Sequence, residues 1–173
     1  HALTGDSHVS GDSSASHPTK GWWDEIVGPG KAINTDEHFV VCINVLGGCQ
    51  GSTGPSSLNP VSNRPYGSDF PNITIRDIVR AQAKVADYLG IEHWHAVIGG
   101  SMGGMQALEW AAMFPDRVPR IAPVATSLAA STQQIAWSAV GRAAIALDPR
   151  WRDGNYYEAD AGDGPHTGLA IAR

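Results

Sequence analysis

Two cysteines in 173 residues, Cys42 and Cys49, are too few for a disulfide framework, and their spacing matches no metal site. Basic charge is also scarce. Twelve Lys and Arg stand against 17 Asp and Glu, a net charge of −5, which argues against a nucleic-acid surface, where a basic excess is usual. No run approaches the ~18 apolar residues that a membrane span needs, and no charged-then-apolar segment reads as a signal peptide. No Gly-x-Gly-x-x-Gly offers a dinucleotide site, and no Lys follows a Gly-rich loop as a phosphate cradle requires. Internal repeats and domain linkers are absent too. These absences lead us to expect a soluble, cytoplasmic protein of a reducing compartment, with no metal, no cofactor, no nucleic acid and no membrane among its partners.

What is present suits a globular core: 42% of the residues are hydrophobic and 17% charged. The length alone fits one domain of ordinary size. Residues 4–20 are polar and read as loop, and Gly28-Pro29-Gly30 reads as a turn. Phe39–Val45 is a nearly continuous run of β-formers, the pattern of a strand buried on both faces. Gly47–Asn72 is dominated by Gly, Ser, Pro and Asn, and a loop this long in a compact domain is usually functional. Thr74, with Asp77 three residues on, opens a helix whose stripe runs Ile75, Ile78, Val79, Gln82, Val85, Ala86 and Leu89, and Gly90 stops it. Trp94–Ile98 reads as a strand, and a second helix follows Gly104 and ends before Pro115. Val118–Ala125 contains another strand, Ser131 with Gln134 opens a third helix through about Leu147, and Asp148–Gly168 reads as loop. Strands alternating with helices predict an α/β fold with a mostly parallel sheet.

Ser101 lies in Gly99-x-Ser101-x-Gly103, between an apolar strand and an amphipathic helix. Such a turn is sharp, and its flanking positions must lack side chains so that strand and helix can approach. It lifts a hydroxyl above the sheet at a helix N-terminus, where free N–H groups favour developing negative charge. In a chain with 20 Gly the bare pattern is weak, and an anion-binding βα turn is the other reading. The strand before, the helix after, and Gly100 and Gly104 favour a nucleophile. A nucleophilic Ser needs a base and an orienting acid. After Ser101 the only His is His166, preceded by Asp148, Asp153, Asp160 and Asp163. The order is formally right, but no strand precedes His166 to fix those carboxylates, so it reads as an exposed loop residue. His93 and His95 read as structural, and His1, His8, His17 and His38 await the fold. Cys49, with no resolvable His partner, reads as a small pocket-wall residue rather than a catalytic thiol.

Five stretches together resemble the homoserine O-acetyltransferase family, acyltransferases of the α/β-hydrolase fold. They are His1–Asp6, Asn44–Ser57, Gly67–Pro71 with Ile75-Arg76-Asp77, Gly99–Gln106, and Gly168–Arg173. The long Gly-Gly-Cys-x-Gly-Ser-Thr-Gly-Pro loop is much more specific than the serine turn. The resemblance implies Ser101 as nucleophile, with the backbone N–H groups of Met102 and Leu3 forming the oxyanion hole. It implies that Arg173 pairs with the substrate carboxylate, a task suited to its two-pronged donor geometry. It also implies a ping-pong reaction in which acetyl-CoA acylates Ser101 and the hydroxyl of L-homoserine takes the acetyl group, a step of methionine synthesis. The Gly47–Asn72 loop would then help to shape the acyl-donor side of the pocket.

In that family strands precede the His-Ala-Leu segment, and the catalytic Asp and His lie beyond the arginine matched by Arg173. Both triad partners are therefore expected to be absent here, and the chain to be an inactive fragment of a longer, homodimeric enzyme. Residues 1–130 would be a partial α/β-hydrolase core with its elbow at 99–103, and 131–173 the start of a helical lid. The alternatives are the same family acting with succinyl-CoA or on serine, a plain esterase, and a non-catalytic binding module.

Overall fold

Helix α1, Ile75–Tyr88, begins at a reciprocal cap. The Thr74 hydroxyl accepts the Asp77 N–H at 3.2 Å, and the Asp77 carboxylate accepts the Thr74 N–H at 3.0 Å. Those bonds satisfy two of the donors that a helix start leaves open, and the Thr74 hydroxyl, donating to the Asp77 carboxylate at 2.6 Å, does most to hold that carboxyl below its ordinary pKa, with the Thr74 N–H next. At the other end Gly90, at φ 71°, carries the chain out through bonds from its own N–H to Asp87 and from the Ile91 N–H to Ala86. This is the two-bond glycine cap that ends many helices.

The computed structural model describes residues 1–48, 50–157 and 162–173. It divides into two compact units, one of His1–Ser52 and Ile73–Ser127, the other of Thr53–Asn72 and Leu128–Arg173. In the first, β1 (Val27–Gly28) pairs parallel with β2 (Ile33–Asn34), and β3 (Val97–Gly100) pairs parallel with β4 (Ile121–Val124). Helix α2, Met102–Met113, is the crossover between β3 and β4, in register Val97 to Ile121 through Gly100 to Val124. The α/β class with parallel strands is thus the observed one.

Helices α1 and α2 pack on each other through Val79, Ala83, Ala86 and Trp110, with Val118 beside them. Trp110 meets Trp94 edge-on at 6.3 Å and Phe114 at 5.2 Å. Arg117 closes this core. Its guanidinium lies 5.9 Å from the Trp110 and Phe114 ring centroids, donates to the Ile91 and Glu92 carbonyls at 2.7 and 2.9 Å, and pairs with Asp87 at 2.9 Å. A planar cation with five donors can do all of this at once, which a lysine cannot.

Phe39–Val45 departs from the expectation of a doubly buried strand. It forms no ladder among the described residues, and Phe39 is 77% exposed. β-Formers extend the chain, but a parallel strand needs a neighbour on which to place its N–H and C=O groups, and none of the described segments takes that place. The segment is held at its ends instead, by the His38–His95 ring stack at 4.9 Å and by Val45. β3 also begins at Val97 rather than Trp94, because the ladder starts where the Val97 N–H reaches the Arg120 carbonyl.

In the second unit, α3 (Thr132–Ala146) opens at Ser131 through a second capping box with Gln134. The Gly- and Asp-rich tail is not all loop: α4, His166–Ala172, packs on α3. The approach is close enough that a Cβ on Gly168 would lie 2.7 Å from the Ile145 Cα. Asp148, 7% exposed, organises the junction by accepting the Gly168 and Arg150 N–H groups, each at 3.0 Å. Gly47–Asn72 contains one isolated antiparallel bridge, Leu58 to Pro65, and a 3-10 turn at Gly67–Asp69.

Candidate active site

Ser101 sits between the last residue of β3 and the first of α2, at φ 54°, ψ −118°, a conformation that L-residues seldom adopt. Such backbone costs of order 1–3 kcal/mol and persists only where its surroundings enforce it. Here they do. The Ser101 N–H is tied to the Val124 carbonyl at 2.9 Å, and its carbonyl accepts from Gly104 and Met105 at 2.9 and 3.2 Å. Three of the four glycines of the turn are needed for space. A Cβ on Gly99 would run into the Gly103 backbone, one on Gly103 would lie 3.1 Å from the His1 carbonyl oxygen, and one on Gly104 would lie 2.6 Å from Thr126 Cγ2. Ser101 is exposed, and its hydroxyl makes no hydrogen bond to a described residue.

Met102 is the first residue of α2, so its N–H is one of the donors that the helix leaves open. Leu3 stands in the segment that packs on the elbow, since the His1 backbone fills the space a Gly103 side chain would take. Leu3 is 77% exposed, and neither its N–H nor that of Met102 is engaged by a described residue. The His1 ring anchors the segment. Its Nε2 accepts the Val45 N–H at 3.1 Å, which leaves Nδ1 to carry the proton and donate to the Ala2 carbonyl at 2.8 Å. The first unit therefore brings the strained Ser101, the N-terminus of α2 and, through the His1–Gly103 contact, the segment carrying Leu3 close together.

The candidate acids and base belong to the second unit. Asp148 spends both oxygens on backbone N–H groups and lies near Arg150, which together hold its carboxyl below the ordinary range, the Gly168 N–H contributing most. Asp163 pairs with Arg152 at 2.5 Å, and Asp153 occupies a 3-10 turn at φ 52°. His166 is exposed as expected, but it begins α4 rather than lying in a loop. Arg173 follows α4 and is exposed. Cys49 and Asp160 lie outside the described residues.

Burial raises the Cys42 thiol pKa, so it is not poised as a nucleophile, and its Sγ lies 3.7 Å from the Asp6 carbonyl oxygen. Among the described residues no group of three or more His, Cys, Asp or Glu is placed to hold a metal, and no helix is long and apolar enough to cross a membrane.

Residues 1–165 match the family model described as the alpha/beta hydrolase fold. The chain belongs to the α/β-hydrolase fold family. Within it, a homoserine O-acetyltransferase of Thermobifida fusca is 58% identical over 173 residues, covering all of this chain and 45% of that protein. The chain therefore spans about half the length of the curated relatives it matches. Among solved α/β-hydrolase structures, a homoserine O-acetyltransferase from Bacillus anthracis superposes with a TM-score of 0.88 at 37% identity, over 99% of this chain and 47% of that one. The esterase E22 superposes equally well, with a TM-score of 0.88 at 38% identity over 99% of this chain and 48% of that one.

Gln106, which the sequence does not single out, donates to the Met102 and His1 carbonyls beside Ser101, and Gln82 donates to Gln106 at 2.7 Å. A glutamine at an apolar stripe position of α1, facing a helix with another, was the available signal.

Proposed function

We propose that this chain carries the nucleophile and oxyanion hole of an acyltransferase that moves an acetyl group from acetyl-CoA to the side-chain hydroxyl of L-homoserine. Ser101 attacks the thioester carbonyl, the Leu3 and Met102 N–H groups hold the resulting oxyanion, and the tetrahedral species collapses with release of the CoA thiol. The homoserine hydroxyl then attacks the acetyl-serine ester, the same donors hold the second oxyanion, and its collapse breaks the ester bond, returning the Ser101 hydroxyl and releasing O-acetyl-L-homoserine. One such donor is typically worth ~2.7–4 kcal/mol in a preorganised site. The general base and its orienting acid are assigned to sequence outside these 173 residues, in keeping with relatives about twice as long. Arg173 receives the homoserine carboxylate. We assign residues 1–130 to a partial α/β-hydrolase core and 131–173 to the start of a helical lid, and the enzyme to the cytoplasm as a homodimer acting in methionine synthesis.

The observation that carries the reading is Ser101, strained at φ 54° ahead of α2, in a chain 58% identical throughout to a homoserine O-acetyltransferase. Hydrolysis is the second reading, favoured by the equal fit of esterase E22, because water need only replace the acceptor alcohol. The test follows CoA release by the full-length gene product with acetyl-CoA, with and without homoserine. Release that requires homoserine supports the transferase, whereas release at the same rate without it assigns the protein to the hydrolases. Succinyl-CoA and serine, run in parallel, fix donor and acceptor.

A further inference from the structure

Gln106 is only 4% exposed, on the helix that begins just after Ser101. A buried amide is costly unless its groups are hydrogen-bonded, and this one spends each of them on a specific partner. Its Nε2 donates to the Met102 carbonyl at 3.2 Å and to the His1 carbonyl at 3.4 Å. Its Oε1 accepts from Gln82 Nε2 at 2.7 Å, and Gln82 Oε1 accepts from Trp110 Nε1 at 2.9 Å. An indole N–H can only donate. Trp110 therefore turns the Gln82 oxygen toward itself, which turns the Gln82 NH₂ toward Gln106 and leaves the Gln106 NH₂ facing the two carbonyls. The direction of the whole chain is set from one end, and neither amide can flip without two like groups facing each other.

The two carbonyls at its far end belong to the two segments of the oxyanion hole. One is that of Met102 itself, the other that of His1, two residues before Leu3. We propose that Gln106, oriented through Gln82 and Trp110, is a positioning residue that sets the spacing between the Leu3 and Met102 N–H donors. The proposal rests on reading those two groups as the oxyanion hole. It holds for transfer and for hydrolysis alike, since both pass through the same oxyanion. A satisfied core glutamine would need only any donor and acceptor. This one ties the elbow helix to the start of a segment that the His1 ring and contact with Gly103 also hold.

The experiment measures Ser101 acylation with p-nitrophenyl acetate, using the full-length gene product. Gln106→Met keeps the bulk and removes the amide. Gln106→Glu keeps an acceptor for Gln82 but turns a carboxylate toward two carbonyls. In both, kcat is expected to fall about 10- to 100-fold with KM nearly unchanged, the pattern of a displaced oxyanion donor rather than lost binding. Trp110→Phe gives a smaller fall in kcat. In Gln106→Met the Trp110 indole N–H resonance shifts, because Gln82 has lost its fixed partner. Should Gln106→Met not fold, Gln82→Met reads the same link, with a smaller drop in kcat expected. An unchanged kcat in a folded Gln106→Met or Gln82→Met protein, or a loss carried by KM alone, overturns the proposal. Ser101→Ala separates the two levels: if it still acylates, the functional reading fails, and if it is silent while the Gln106 variants match wild type, only the positioning role fails.

Discussion

Gly99 and Gly100 are consecutive in β3, yet alanine at the two positions should have opposite effects. At Gly99 a Cβ would lie 2.9 Å from the Gly103 Cα and nearer still to the Gly103 carbonyl group. Carbon atoms rest at about 3.5–4.0 Å and the Gly103 carbonyl carbon would lie well inside that distance, so the first turn of α2 must retreat by about 1.2 Å. It has nowhere to go, because Gly104 lies against Thr126 and Gly103 against the His1 backbone. Overpacking of this kind costs about 1–3 kcal/mol, and the rigid backbone on both sides places Gly99→Ala toward the upper end. At Gly100 a Cβ meets only Trp23 Cζ2 at 3.9 Å and the Val124 oxygen at 4.0 Å, which is ordinary contact. There the reduced freedom of the unfolded chain should dominate, a gain of about 0.4–1 kcal/mol. The two variants should differ by about 2.5–4 kcal/mol, or roughly 1 M or more in urea midpoint at a slope near 1–3 kcal/mol/M. Urea melts followed by tryptophan fluorescence and circular dichroism measure this. Equal destabilisation by both alanines, or a Gly99→Ala midpoint at or above wild type, would refute the packing argument for the elbow.

Asp24 gathers Lys20 at 2.8 Å, the Gly11 N–H at 2.8 Å, Ser10 and Lys31, and these partners, Lys20 foremost, hold its carboxyl far below the usual range. Its contribution is therefore complete above the unfolded-state pKa of about 3.9 and is lost as pH falls toward the folded value. Asp24→Asn should lower the melting temperature at pH 7 and flatten its fall between pH 5 and 3, and parallel acid profiles for the two proteins would count against this. Thr74→Ala removes one half of the α1 cap and should cost about 1 kcal/mol, read as a urea midpoint shift with an unchanged slope. Arg117→Lys keeps the charge but loses the fork shared by Ile91, Glu92 and Asp87. A loss of about 1–3 kcal/mol is expected, and a wild-type midpoint would show that the charge alone suffices.

Features written within a few residues were legible in the sequence. Thr74 with Asp77, and Ser131 with Gln134, announced the starts of α1 and α3, because a capping box is complete within four residues. The elbow was legible for the same reason at Gly99, which clears Gly103 within a single turn, whereas Gly103 and Gly104 clear the distant His1 and Thr126. In Phe39–Val45 β-propensity reports only an extended chain, while pairing depends on a distant neighbour. In the tail the Gly content that suggests loop includes Gly168, whose lack of a side chain is what lets α4 settle on α3. The Gln82–Gln106–Trp110 chain escaped notice because it joins α1, α2 and the His1 segment, which lie far apart in sequence.

The central claim, that Ser101 is the acyl-carrying nucleophile, is tested most directly by mass spectrometry of peptides from the full-length gene product quenched after mixing with acetyl-CoA. One acetyl group on the peptide containing Ser101, removed on adding homoserine and absent from Ser101→Ala, is the predicted result. An acetylated intermediate that persists in Ser101→Ala, or turnover with no acyl group on Ser101, would contradict it.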